Sequence, residues 1–269
     1  MIEILQYGFM QRAFIAGILI AILSAIIGVF IVLRRMALLG DGLAHISFGG
    51  IAAGMLFGFY PIFSALIFSI LGALGIQKLK KLKIYSDSAI AILFSFGLAL
   101  GVILISLSRG FNADLFSYLF GSILAVNLTD IITILGVGII VLLIIFFFYK
   151  ELFYITFDET SAKASGLPVE KMDTLLVILT AIIVVLSMRI VGILLVSSLI
   201  VIPASTALLL HKGFKKTLLI SCIIAIISVI IGLILAYYLD LAAGGAIVMM
   251  LIVIFLTTLI YKKTTTKSF

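Results

Sequence analysis

Asp41 and His45 stand four residues apart in RRMALLGDGLAHISFGGIAAG, the stretch from Arg34 to Gly54, which is otherwise almost entirely apolar or small beyond its opening arginines. On a helix that spacing puts both side chains on one face, one turn from each other. A carboxylate and an imidazole together suit a divalent transition-metal cation. An aspartate within a hydrophobic span costs roughly 2.5 to 3.5 kcal/mol on insertion scales, so its presence there points to function. Both residues also have an ordinary structural use. Asp41 would serve as the N-cap of a helix, with Gly40 and Gly42 making the turn, and His45 would bond to a neighbouring carbonyl. Two donors are too few for a stable site, because zinc prefers four ligands and manganese usually takes more. A two-fold axis would supply the shortfall, two protomers offering two carboxylates and two imidazoles around one pathway.

The elements that must position this pair are membrane helices. Of 269 residues, 65% are hydrophobic and only 11% charged, with mean hydropathy +1.46, a composition that excludes a water-soluble domain of this size. The net charge of +7 does not require a nucleic-acid partner, since the lysines and arginines of a membrane protein gather on its cytoplasmic side. Cys222 is the single cysteine and lies in an apolar run, so no intrachain disulfide is possible. The opening MIEILQYGFMQ carries Glu3 and lacks a basic leader and a small-residue cleavage site, so the first span is expected to be retained.

A span needs about 20 apolar residues to cross a hydrocarbon core of about 30 Å. Charge-free runs give Ala13 to Leu33, Gly42 to Tyr60, Ile62 to Ile76, Ser88 to Ser108, Ile131 to Tyr149, Thr174 to Met188, Val191 to Leu210, Thr217 to Leu239 and Ala242 to Tyr261. The expectation is therefore an all-α polytopic bundle of about nine transmembrane helices, in one domain covering 1–269. An eight-span arrangement stays open. Leu115 to Val126 is apolar but too short to cross, and suits a re-entrant or interfacial helix. With the N-terminus outside and the C-terminus cytoplasmic, all 18 lysines and arginines except Arg12, Arg109 and Arg189 fall on the cytoplasmic side, as orientation by positive charge requires.

Gly49, Gly50, Ala52, Ala53 and Gly54 in the second span, and Ala242 to Ala246 in the last, should face the bundle, because close backbone approach holds helices together in lipid. Pro203 should break a backbone hydrogen bond in its span, with Ser197, Ser198, Ser205 and Thr206 near enough to satisfy freed groups or line a path. His211 reads as interfacial, and Asn112, Asp114, Asn127 and Asp130 lie on the extracytoplasmic side, where they could meet a partner protein or be exposed loop polarity. Lys150 to Lys171 is the longest polar stretch. Within it, FDETSAKASGLP opens on Asp158 and Glu159, which suit the positive end of a helix dipole, and stops at Gly166 and Pro168. It reads as a surface helix of about two turns.

Four segments, RRMALLGDGLAHISFGGIA, NADLFSYLFGSILAV, FDETSAKASGLP and VGILLVSSLIVIPASTALLL, in this order and at this spacing, resemble the membrane permease subunit of bacterial zinc and manganese ABC importers, the ABC-3 or metal-ion permease family. The resemblance implies a type II ABC importer-like bundle in the bacterial cytoplasmic membrane and a homodimer of permeases. It also implies two cytosolic ABC ATPase subunits that bind the ATP, and an extracytoplasmic metal-binding protein. It places Asp41 and His45 in the translocation path of zinc or manganese. The loop helix becomes the coupling element, with Phe157, Asp158, Glu159, Ala162, Gly166 and Leu167 meeting the ATPase. The chain itself has no glycine-rich phosphate loop ending in Lys-Ser or Lys-Thr, and no bound cofactor is expected. Two other classes compete: an intramembrane metal-dependent hydrolase, which lacks a His-Glu-x-x-His helix, and an ion-coupled secondary transporter, which would lead one to expect repeated halves that the sequence does not display.

Overall fold

The computed structural model describes residues 6–108, 113–122 and 126–266; Arg109, Asn112 and Lys267, whose positions were assigned above, lie outside them. Among the described residues all regular structure is helical: α1 (Gly8–Leu33), α2 (Leu39–Phe57), α3 (Pro61–Lys81), α4 (Ser86–Leu107), α5 (Ala113–Phe120), α6 (Leu128–Phe147), α7 (Tyr149–Phe157), α8 (Glu159–Ala164), α9 (Val169–Val191), α10 (Val196–Leu209), α11 (Phe214–Leu239) and α12 (Ala243–Thr266). Local chemistry sets several boundaries. Pro61 opens α3 at a position where a missing N–H costs nothing. Gly58, at φ +74°, closes α2. Asn127 and Asp130 exchange side-chain and backbone hydrogen bonds of 2.8 and 3.0 Å at the start of α6, a capping box.

Seven of these helices, α1, α3, α4, α6, α9, α11 and α12, are long and apolar enough to cross a membrane. The sequence expectation of nine includes α2 and α10 as well. The 14 residues of α10 reach only about 21 Å at 1.5 Å per residue. α2 has 19 residues, but Asp41, His45 and glycines at 40, 42, 49, 50 and 54 dilute its hydropathy. Those glycines are there for protein neighbours. A Cβ on Gly50 would lie 2.8 Å from the Ala65 Cα of α3, and one on Gly97 of α4 would lie 2.5 Å from the Ile46 Cα of α2. α2 is thus clasped by α3 and α4, with α9 and α10 completing its surroundings. Of the small residues in the last span, Ala243, Gly244 and Ala246 face the bundle as expected, whereas Ala242 is exposed and Gly245 meets open space.

The ends of the long helices sort into two groups. At one end the tip of α1 meets the starts of α9 and α11, through Arg34 with Asp173 and Phe30 with Phe214. The tip of α3 joins them through Lys80, and the tips of α10 and α12 meet through His211 and Lys262. At the other end Tyr60, Asp130 and Arg189 bring together α3, α6 and α9, and Tyr7 meets Tyr237 of α11. The lysine-rich segments therefore share one end of the bundle.

α9 stops at Gly192, φ +85°, and α10 begins only at Val196. The unwound backbone between them pairs with the end of α5: Ile193 N–H donates to the Tyr118 carbonyl at 2.9 Å, Leu194 N–H to that of Leu119 at 3.3 Å, and Ser122 N–H to that of Arg189 at 3.1 Å. A Cβ on Gly192 would fall within 2.6 Å of three backbone atoms of Leu119, Phe120 and Gly121. Non-helical backbone at membrane depth is tolerated where protein covers it. α5 has eight residues, too few to cross, and serves as that cover.

Candidate functional site

α2 begins at Leu39, with Leu38 as its N-cap and no capping side chain. Asp41 is therefore inside the first turn, where a carboxylate complements the helix dipole, and the N-cap role expected of it is not the one it has. His45 follows one turn later, and both side chains are half-buried. The His45 Nδ1 lies 3.0 Å from the Asp41 carbonyl oxygen. A carbonyl only accepts, so Nδ1 carries a proton in this bond, and the tautomer it selects has its lone pair at Nε2. Phe94 of α4 packs on the imidazole with ring centroids 4.1 Å apart. The Asp41 side of the helix borders an open cavity of about 210 Å³, lined by Ala37, Leu38, Val201, Ile202 and the first-turn serines of α10, Ser197 and Ser198. Thr206, by contrast, bonds back to the Ile202 carbonyl of its own helix. Among the described residues no three histidine, cysteine or acidic side chains converge on a metal-sized site. One chain thus offers an imidazole held by its own helix and, one turn away, a carboxylate bordering a cavity with two hydroxyls.

The loop helix forms at the lysine-rich end. Asp158 caps α8, its Oδ1 accepting from the Ser161 N–H at 2.9 Å and its other oxygen from the Ser161 hydroxyl. Those hydrogen bonds hold the Asp158 carboxyl below its ordinary range. At the other end Leu167 N–H reaches back to the Ala162 carbonyl and Gly166 N–H to that of Lys163, with Gly166 at φ +85°, the Schellman arrangement that ends helices. Glu159 is held below its ordinary range first by its hydrogen bond to Lys163, at 2.8 Å, with Arg34 assisting. Phe157 is 57% exposed while its ring leans on Phe153 and Phe214. Ala162 is fully buried and Leu167 half-buried, so these two seat the helix on the bundle. The two carboxylates that sequence alone offers to a partner already have partners within the chain.

Composition and spacing did not reveal what joins the two regions. Arg34, at the end of α1, is nearly buried; it donates to the Ile155 carbonyl at 2.8 Å, meets Glu159 at 3.2 Å, and stands 2.6 Å from Asp173. The Asp173 contact is an ion pair without hydrogen-bond angles. Lys80 approaches Asp173 at 3.6 Å, and Lys81 pairs with Glu170 at 3.0 Å. α1, α3, α8 and α9 are thereby tied by charge, and α2 follows Arg34 after only four residues. The signal available in the sequence was Asp173 alone, an acid opening an apolar span.

At the opposite end Asp130 is 1% exposed, which overturns its reading as loop polarity. Tyr60 O–H donates to it at 3.2 Å, and the Arg189 Nε lies 3.6 Å away. The Arg189 guanidinium also sits 4.5 Å above the Tyr118 ring. His211 is exposed, as an interfacial residue should be, with its Nε2 2.6 Å from the Lys262 Nζ.

A multi-span helical bundle with a capped surface helix at its basic end has the architecture of a membrane transport subunit. The sequence matches the model of the ABC 3 transport family over residues 6–262. The chain belongs to this family, and is a membrane transport subunit, not an enzyme. It is 39% identical over 209 residues to the manganese transport system membrane protein MntC of Halalkalibacterium halodurans, covering 77% of this chain and 72% of that protein. Identity is also 39%, over 217 residues, to the manganese import system permease protein ScaB of Streptococcus gordonii, with 80% and 78% covered. A chain in the solved structure of PsaBC from Streptococcus pneumoniae in complex with Fab superimposes with a TM-score of 0.87 at 37% identity, over 96% of this chain and 93% of that one.

Proposed function

We propose that this chain is the permease subunit of an ATP-driven importer for a divalent transition metal, with manganese the first candidate and zinc its competitor. Two manganese transport proteins are among its relatives, and an aspartate with an imidazole accepts either ion. Two protomers would face each other so that two Asp41 carboxylates and two His45 imidazoles share one pathway, with Ser197 and Ser198 beside it. The observation that carries this reading is the bond from His45 Nδ1 to the Asp41 carbonyl, which leaves Nε2 as a ligand and holds it one turn from the carboxylate. An incomplete shell per protomer suits a site that must also release its ion.

In this reading the whole of 1–269 is one transmembrane domain of nine crossings, N-terminus outside and C-terminus cytoplasmic. The alternating ends of successive helices support that count, α2 crossing in a sleeve of protein and α10 completing its crossing with unwound backbone at 192–195. The membrane is the cell membrane. An extracytoplasmic metal-binding protein would deliver the ion, and two cytosolic ABC ATPases would dock at Phe157, Asp158, Glu159, Ala162, Gly166 and Leu167. Arg34 would then carry the movement of α8 to α1 and to the start of α2.

The test is metal uptake by cells or proteoliposomes containing the permease with its ATPase and binding protein, manganese and zinc being offered singly and in competition. Asp41→Ala and His45→Ala should abolish uptake of the preferred ion while assembly with the ATPase persists. Normal transport by both variants would remove the site assignment.

A further inference from the structure

The transport reading leaves one surface unused. At the lysine-rich end a cavity of about 650 Å³ is walled by Lys212, Lys215 and Lys216 together with Tyr149, Phe153 and Phe214. A second cavity of about 530 Å³ lies between α6 and α11, lined by Ile139, Leu143, Phe146, Leu219 and Cys222, with Ile26 of α1 also in its wall. Tyr149 is common to both, so charge and groove adjoin. On α11 the order Lys215, Leu219, Cys222 repeats at i, i+4, i+7, which places an ammonium at the head of two turns of apolar helix face. The rim is open: Leu219 is 62% exposed and Phe146 76%.

What sets these three lysines apart at this end is that they wall a cavity adjoining the apolar groove. Lys80, Lys81 and Lys163 each pair with a carboxylate, whereas among the described residues none stands within ion-pair distance of Lys212, Lys215 or Lys216. Their charge is available to an anion from outside. A soluble anion would use the lysines and leave the groove bare, while a neutral lipid would use the groove and leave the lysines idle. An amphiphile with an anionic head and a hydrocarbon tail satisfies both.

We propose that this lysine cluster and the α6–α11 groove together bind one anionic phospholipid, its phosphate among Lys212, Lys215 and Lys216 and an acyl chain laid between the two helices. The direction the groove faces agrees. Gly28 of α1 packs on Ile200 of α10, and Ile26, two residues away, is about 200° around the helix. The groove therefore opens on the side of α1 turned away from α10, whose serines border the Asp41 cavity. That the groove also faces away from a partner protomer rests on the dimer reading above; the headgroup and tail chemistry does not.

The chain contains no tryptophan, so Phe146→Trp makes a single fluorophore in the groove. The full chain is placed in bilayers of phosphatidylglycerol and phosphatidylcholine, with bromine on the acyl chains of one lipid at a time. Brominated phosphatidylglycerol should reach half-quenching at a roughly tenfold lower mole fraction than brominated phosphatidylcholine. Ile67→Trp is the reference: Ile67 is 58% exposed on α3, which packs on α2, α4 and α9 rather than on α6 or α11, and both lipids should quench there alike. Adding Lys212→Ala, Lys215→Ala and Lys216→Ala should reduce the groove preference to the reference level, and arginine at the same three positions should restore it. Equal quenching by the two lipids in the groove, or a preference that survives the triple alanine variant, would overturn the proposal. So would loss of quenching by both lipids once the ATPase is bound, since the face would then belong to that protein. None of these outcomes depends on metal uptake, so the transport reading stands or falls separately.

Discussion

Arg34 of α1 and Asp173 of α9 stand 2.6 Å apart with only 7% and 13% of their side chains exposed, and the same guanidinium reaches Glu159 of the surface helix α8. A charged contact this enclosed is expensive to break from one side. Arg34→Ala would leave Asp173 with Lys80 alone and free the Ile155 carbonyl, so stability should fall by about 3 kcal/mol. Arg34→Lys keeps the charge but replaces the planar fork, which spans the Ile155 carbonyl, Glu159 and Asp173, with a compact ammonium; it should retain most of the stability and lose uptake. Thermal unfolding and metal uptake, measured on the same ATPase-bound preparations, separate the two effects. Full transport in an assembled Arg34→Lys complex would mean that the network only holds the helices in place.

The loop that carries α8 should respond to acid. Hydrogen bonds to Ser161 keep Asp158 below its ordinary range, and Lys163 with Arg34 does the same for Glu159. Each carboxyl binds its proton less tightly in the folded loop than in an unfolded one. Their contribution is thus complete above the unfolded values and is lost as pH falls through the folded ones, from about pH 4 downward. Hydrogen exchange across 157–168 should stay slow at pH 6 and quicken below pH 4 beyond the change in intrinsic rate. Asp158→Ala should bring the fast exchange to neutral pH, because the N-cap of α8 is lost. A pH-independent protection factor in the native chain would contradict this.

The long helices, and the gathering of lysines at one end of them, were legible because most long spans are charge-free runs and the lysines fall between them. Asp41 and His45 were legible for the same reason, as ionisable residues where the sequence is otherwise apolar or small. The start of α2 was not: Leu39 to Asp41 has no side-chain cap to announce it, and the helix is set by packing against α4 and α10. The break near Gly192 was legible as the turn between the spans ending at Met188 and beginning at Val191, but the unwound backbone from 192 to 195 was not, since its partners lie in and just after α5, some seventy positions earlier. Asp130 looked like loop polarity because a capping residue at a helix start and a buried ion-pair partner share one sequence signature; only the approach of Tyr60 and Arg189 distinguishes them.

That approach makes Asp130 a sensitive position at the end remote from the lysine-rich one. Its carboxylate is buried, accepts from Tyr60 and lies against Arg189. Asp130→Asn preserves shape and one acceptor but removes the charge facing the guanidinium, and should cost about 2 to 3 kcal/mol, less than a full truncation. Tyr60→Phe removes one hydrogen bond to a charged acceptor and should cost about 1.5 kcal/mol. Unfolding of the two single variants and the double variant forms a cycle. Strict additivity would show that Tyr60 and Asp130 do not interact as their 3.2 Å separation requires.

Gly97 offers the sharpest test of how α2 is positioned. A Cβ there would meet the Ile46 Cα at 2.5 Å, its N at 2.6 Å and the His45 carbonyl at 2.7 Å. All three are backbone atoms of the helix that carries the polar pair, so relief requires α2 itself to shift from α4. Gly97→Ala should cost about 1 to 3 kcal/mol as an overpacked contact and should also disturb the Asp41 and His45 placement, depressing uptake. Gly17→Ala is the matched comparison, because its Cβ would press on the Val229 side chain of α11 at 2.8 Å, away from α2. Gly245→Ala meets open space and should be silent. If Gly97→Ala and Gly17→Ala lower the unfolding temperature equally but only the first loses metal uptake, the loss follows from moving α2. Equal uptake in the two would mean that the pair tolerates displacement, or that the ion does not pass it.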